Sequence, residues 1–363
     1  MSDDLATMKT RFEPKEGKPL TLDRQLNAAR FTACGRFLLA AGHDGTVRRF
    51  DATADEMPEL KPLAGHNGWV QRLALPRKRD DAPTDEIVFS IDSWGQLRCG
   101  SFVDETAAPR WSNAAAHDGW ILDVALSPSG ALIATCGVDR AVRVWSTADG
   151  SKKYEFSNPD WETLCVAFAP DEASVVAGDL SGIVRQWELA SGKMTREFNA
   201  ADLHKSDRLQ EVGGVRRILF SPDGKQLLCA GTKPKGGGNV QGVPAIMIFD
   251  WETGQVAKSL ELGKEGDVYV TDVAFHPEGF LMVTISGNPG TGKLLFRRIE
   301  DDAPFFETTK MPNCQSIALH PDRQRLAVIA TNGSSNGNGR HLDKDGKYPG
   351  NFSPIHIWKL PAM

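Results

Sequence analysis

Apolar residues along this chain come in short alternating runs, each broken by a turn, and the same phrase keeps returning. An apolar run leads to Pro, often followed by Asp and Gly, and then to a second apolar run. It reads VALSPSGALIATCG from Val124, VAFAPDEASVVAG from Val166, ILFSPDGKQLLCAG from Ile218, VAFHPEGFLMVTISG from Val273 and IALHPDRQRLAVIAT from Ile317. A variant with an insertion starts at Leu73, and a degenerate first copy, RFTACGRFLLAAG, starts at Arg30. Alternation with period two is the pattern of a half-buried strand, and no segment shows the sustained i, i+3, i+4 spacing of a helix. In the turn, Pro pre-sets φ and Gly accepts the positive φ that a tight hairpin requires.

The anchors of the phrase are Ala33, Pro76, Pro128, Pro170, Pro222, Pro277 and Pro321, spaced by 43, 52, 42, 52, 55 and 44 residues. Such a period has the length of a propeller blade, about 40–45 residues before insertions. The pattern therefore predicts an all-β chain, a single seven-bladed β-propeller of four-stranded antiparallel blades. Blades are expected at about 21–65, 66–116, 117–159, 160–203, 204–264, 265–312 and 313–360, with residues 1–363 as one domain.

The third unit carries His117-Asp-Gly-Trp, then VALSPSG, then TCGVDRAVRVW ending at Trp145. The first has GHDGTVRRFD, the fourth SGIVRQWE, and the seventh ends IHIW. These residues resemble the WD-repeat family over nearly the whole chain after about residue 20. The resemblance implies a buried tetrad in the third unit, His117, Thr135, Asp139 and Trp145, in which each polar group finds a partner. His66 is the second unit's counterpart of His117, whereas Ser181 stands where Asp139 does and Gly100 replaces the Trp. Phe249 and an Arg-rich segment occupy the corresponding places in the fifth and sixth units. The resemblance also implies ring closure, with a strand from about residues 9–20 completing the last blade and removing a sheet edge.

Function is expected where the units depart from the pattern. By the same resemblance, the connections between strands d and a and between strands b and c open on one face. Three b–c connections are long, Thr232 to Ala245, Ser286 to Lys293 and Thr331 to Pro354. Loops of that length in a compact domain are usually functional or disordered. They place Lys235, Lys293, Arg340, Tyr348 and Phe352 on a candidate partner surface. Trp69, Trp120 and Tyr269 recur at the start of strand a, with Trp161 one residue off register, and aromatics there mark binding anchors. Farther along strand a, Arg72, Asp123, Arg217 and Asp272 align with Cys165 and Ser316 and predict a polar, mixed-charge channel.

Composition narrows the chemistry. The net charge is −5, which argues against a sequence-independent grip on nucleic acid. No run approaches a membrane span and no signal peptide is visible, so a cytoplasmic protein without membrane association is expected. The six cysteines are scattered without a C-x-x-C pair, which points away from a disulfide framework or zinc site. Gly287 to Lys293 has phosphate-loop spacing, but Leu294 replaces the Ser or Thr that would hold Mg²⁺, and a strand follows. Asp343 and Asp345 resemble a fragment of a calcium loop without its remaining ligands. No cofactor, metal or catalytic residue is expected. The reading is a monomeric, non-catalytic scaffold for a protein or peptide. The alternative is a propeller enzyme, lactonase-like or dehydrogenase-like, which would need several carboxylates converging at the channel.

Overall fold

The computed structural model describes residues 4–22, 24–77, 86–104, 108–157, 160–207, 210–235, 241–287, 290–331 and 352–362. Seven four-stranded antiparallel sheets form the molecule, together with one two-stranded hairpin. The innermost strands are Leu26–Phe31, Val70–Ala74, Ile121–Leu126, Thr163–Phe168, Arg217–Phe220, Tyr269–Phe275 and Ser316–Leu319. Each meets the innermost strands of both neighbouring sheets, and the last meets the first, so the sheets close a ring around an axis.

Burial follows from that ring. In the third blade the order is Ile121–Leu126, Leu132–Gly137, Ala141–Ser146 and Lys152–Ser157. The second strand is covered on both faces because a blade packs on each side of it, and the outermost strand alternates between solvent and core. Among the described residues, the seven apolar clusters map one to each gap between adjacent blades. A blade alone would leave both faces wet. The ring is thus the smallest unit that buries them.

Turn chemistry acts as the sequence suggests. Gly130 and Gly224 adopt φ of 75° and 72°, and their amides donate to the carbonyls of Ser127 and Ser221 at 2.8 Å. Each closes the first hairpin of its blade.

The N-terminus differs from expectation in part. The sequence predicts a closing strand somewhere within about residues 9–20, and no helix. The structure has a helix, α1 (Leu5–Phe12), followed by a short strand, β1 (Lys15–Glu16), and a bridge from Leu20 to Ile355. Asp4 caps α1 by accepting from the Thr7 amide at 2.7 Å. Leu5, Met8 and Phe12 do hold helical spacing, but over too few turns to stand out. β1 pairs antiparallel with Ile355–Lys359 as the outer strand of the seventh blade. Met8 and Phe12 enter the gap between blades six and seven, where Phe12 lies 5.0 Å from the Phe280 ring. A second unforeseen element lies between blades four and five, a hairpin of His204–Asp207 and Gln210–Gly213.

Deleting residues 1–20 should lower the thermal midpoint of the whole domain. Phe12→Ala alone should cost about 3–5 kcal/mol, the range for a buried Phe cut to Ala. Chemical denaturation measures it, and an unchanged midpoint would mean that closure does not depend on this segment.

Candidate partner-binding face

The polar devices at one end of the ring start from the third blade. The Trp145 indole N–H donates to Thr135 Oγ1 at 2.9 Å, and Thr135 lies 2.8 Å from His117 Nε2. His117 Nδ1 lies 2.9 Å from Asp139, whose other oxygen accepts from Arg143 at 2.6 Å. Burial opposes ionisation of Asp139, but the hydrogen bonds from His117 and Arg143 outweigh it and hold the carboxyl below its usual range. Burial also lowers the pKa of His117, so the imidazole is neutral and its tautomer is set by the two partners. This relay ties the connection before strand a to the b–c turn.

The second and fourth blades move the carboxylate two positions upstream. Asp92 and Asp179 stand at the place of Gly137, and both are fully buried. Asp92 lies 2.9 Å from His66 Nδ1, and His66 Nε2 lies 2.6 Å from Ser90 Oγ. Asp179 pairs with Arg185 at 2.7 Å and accepts from the Ser181 hydroxyl at 2.7 Å. In blade seven the Trp358 N–H reaches Met311 Sδ instead of a hydroxyl, at 3.4 Å.

The shift in blade two has a consequence at the surface. Asp92 accepts from the amides of Trp94 and Gln96, each at 2.9 Å, and so fixes a tight turn. Trp94 takes the position that Asp139 holds in blade three and projects outward, 67% exposed. Its ring lies over Gly68, where a Cβ would come within 2.7 Å of the indole. Trp69 and Trp120 stand beside it, 45% and 41% exposed, with their rings edge to face at 5.7 Å. His43 stacks on Trp69 at 4.6 Å, and Asn27 holds His43 at 2.8 Å. The three indoles and His43, with Asp44, His66 and Ser93, line an open cavity of about 450 Å³.

Below the rim, the innermost strands bring Arg72, Asp123, Arg217 and Asp272 to one level of the channel. Asp272 accepts from Ser316 Oγ at 3.0 Å and the Ile317 amide at 3.1 Å, and Arg30 and Arg217 lie 3.5 and 3.6 Å away. Asp123 accepts from the Val166 amide at 3.2 Å. The channel wall encloses Asp123 although water can reach it, and this desolvation pushes its pKa up to about 6 against the pull of Arg72.

The WD domain, G-beta repeat family matches residues 20–51 and 112–146, and these segments fall on blades one and three. The second of them holds the complete tetrad within a ring of seven four-stranded sheets. The chain is a seven-bladed β-propeller that carries WD repeats in blades one and three. It is 30% identical over 98 residues to the small ribosomal subunit protein RACK1 of Trypanosoma brucei brucei, and equally to that of Trypanosoma brucei rhodesiense. The similarity spans 26% of this chain and 30% of each relative's length.

This WD-repeat propeller distributes the sequence-predicted residues unevenly. Trp69 and Trp120 come together on the exposed rim. Tyr269 is half-buried beneath Arg216, 4.4 Å from the ring centre, and Trp161 is half-buried beside His204 of the extra hairpin. Lys235 is exposed and Phe352 is half-buried. Lys293 is corrected: it is buried and pairs with Asp267 at 3.2 Å and Glu307 at 3.1 Å, so its charge is not offered outward. Arg340, Tyr348 and the Asp343–Asp345 fragment lie outside the described residues. Trp94 escaped the sequence reading, although an indole standing where the repeat expects Asp was the available signal.

Two outcomes test these polar groups. Asp139→Ala removes one partner of a largely buried pair and should cost about 3 kcal/mol or more in unfolding free energy. The raised pKa of Asp123 means that the folded state holds its proton longer than the unfolded chain does. Its contribution to stability therefore falls as pH rises from about 4 through 6. Asp123→Asn should gain stability relative to the wild type across that window, and a constant difference from pH 4 to 7 would refute the assignment.

Proposed function

We propose that this propeller is a monomeric, non-catalytic scaffold that holds a protein or peptide on the face built by its d–a and b–c connections. Trp69, Trp94 and Trp120 are its anchors. The carrying observation is the cluster itself: three adjacent indoles, 41–67% exposed, held in fixed positions around one cavity. Large exposed apolar patches mark interaction sites, and Trp leads the residues that dominate interface energetics. The side chains are already ordered by Asp92, Gly68 and His43, so docking loses little rotamer freedom.

Other readings have less support. An enzyme of the lactonase or dehydrogenase type needs carboxylates free to converge on a metal or cofactor. Here Asp272 is engaged by Arg30 and Arg217, and Asp123 lies in the field of Arg72 and Arg30. The relatives named as small ribosomal subunit proteins raise the prospect of ribosome association, but a net charge of −5 favours a protein contact over an RNA one. The six free cysteines, five of them buried, suit a reducing compartment such as the cytoplasm.

Trp94→Ala and Trp69→Ala should each reduce partner recovery from a lysate by about thirtyfold, the scale of a 2 kcal/mol anchor. Met194→Ala, on the outer strand of blade four and 51% exposed, should leave recovery unchanged. Equal recovery by all three variants would move the site away from this rim.

A further inference from the structure

At the end of the ring opposite the b–c turns, His276 begins the turn between Tyr269–Phe275 and Leu281–Ser286 of blade six, and it is fully buried. Its Nδ1 accepts from the Glu278 amide at 3.2 Å, so the ring proton of the neutral imidazole sits on Nε2. That Nε2 is buried with no hydrogen-bond partner among the described residues. In blade seven the matching His320 places its Nε2 2.8 Å from the Gly35 carbonyl of the next blade. Beside His276 stands Phe12 of α1 instead, edge on at 5.5 Å, while Phe280 stacks on the imidazole at 4.4 Å. A buried N–H without an acceptor penalises the state that buries it, and docking of Phe12 carries that penalty here.

The attachment of α1 is separable from that of β1. Among the described residues the α1 backbone bonds stay within the helix and its caps, and backbone pairing to blade seven starts only at Lys15. Glu13 leaves the helix at ψ 114°, the extended form favoured before Pro14, so a joint lies between the two elements. Met8 and Phe12 enter the apolar gap, and Arg11 lies 3.9 Å from Glu278 in a partly exposed pair. We propose that α1 is a releasable latch over the gap between blades six and seven, and that protonation of His276 releases it while β1 stays paired. A second proton on the imidazole must go to Nδ1, where it displaces the Glu278 amide. The surrounding charges do not compensate: Arg323 of blade seven and Arg11 of α1 are cationic, and they share the Glu278 carboxylate. Burial, with a smaller push from Arg323, lowers the pKa of His276 from 6.5 to about 4. Once Phe12 leaves, the ring can turn toward water and regain part of that range. The docked form thus binds the proton more weakly, so docking is strongest above about pH 6.5 and weakens as pH falls toward 4. Release uncovers Phe280, Phe296 and Phe305 toward the end of the ring opposite the indoles, so this device stands apart from the partner face.

Native-state amide hydrogen exchange of the full chain tests both parts, with rates corrected for the intrinsic effect of pH. At pH 7 the amides of residues 8–12 should be at least tenfold less protected than those of Ile355–Lys359, because α1 opens without the ring. Between pH 7 and 5 their protection should fall about a further tenfold, while that of Ile355–Lys359 changes little. His276→Asn does not titrate, and its Oδ1 can accept from the Glu278 amide, so it should abolish the fall. Glu278→Gln loosens the Arg11 pair but leaves His276 in place, and it should keep the fall. Amides of α1 as protected as those of Ile355–Lys359 at both pH values would mean that the helix opens only with the ring, and would overturn the latch. A fall that persists in His276→Asn, or that is absent from the wild type, overturns His276 as its trigger.

Discussion

Apolar contact between neighbouring blades is the constraint from which the remainder of this molecule follows. Each sheet presents two apolar faces, and only the next sheet in the ring can cover them, so no blade is stable apart from its neighbours. The gap between the last two blades receives extra material. Met8 and Phe12 of α1 join Phe280, Phe296, Phe305 and Trp358 there, while β1 supplies the outer strand. The first residues of the chain and the last thus share one cluster, which couples closure of the ring to its packing rather than to backbone pairing alone.

Against that apolar frame, the buried polar relays have a narrower role. They fix the connections on one face. In blade three the relay is complete and joins His117, Thr135, Asp139 and Trp145. In blade two the carboxylate sits two positions earlier and still meets its histidine. The vacated position carries Trp94, and Asp92 now braces the turn that presents it. One change in register therefore keeps the internal pairing while turning a structural position into an exposed aromatic one. Blade four makes the same shift, and there Asp179 pairs with Arg185, which stands at the register of Arg143 in blade three, while Ser181 stays close to Asp179.

Much of the fold was legible because it repeats. The turn phrase around Pro128, Pro170, Pro222, Pro277 and Pro321 recurs with a spacing set by blade size, and periodicity survives substitution at single sites. What stayed hidden was what occurs once. The eight-residue helix is too short for its spacing to stand out, and the hairpin after Leu203 has no counterpart in other blades among the described residues. At the candidate site, Trp69 and Trp120 were visible by their shared register. Trp94 was not, because the third blade served as the template and places Asp139 there. Lys293 read as a loop charge, yet strand pairing carries it inward to Asp267. Side-chain direction in a short strand depends on register, which a loop of uncertain length leaves open.

Charge on the loop face follows from the same pairing rules. Its loop carboxylates are largely committed within the fold: Asp44 to Arg48, Asp92 to His66, Asp139 to His117 and Arg143, and Asp179 to Arg185. A carboxylate held by a buried partner projects little field into solvent, whereas an enclosed guanidinium without an acceptor keeps its own. This side presents indoles around an arginine-bearing channel, and exposed acidic residues such as Glu13, Glu188, Glu252 and Glu300 lie elsewhere. The long-range field of this face is therefore weak, because its nearby carboxylates are already neutralised within the fold.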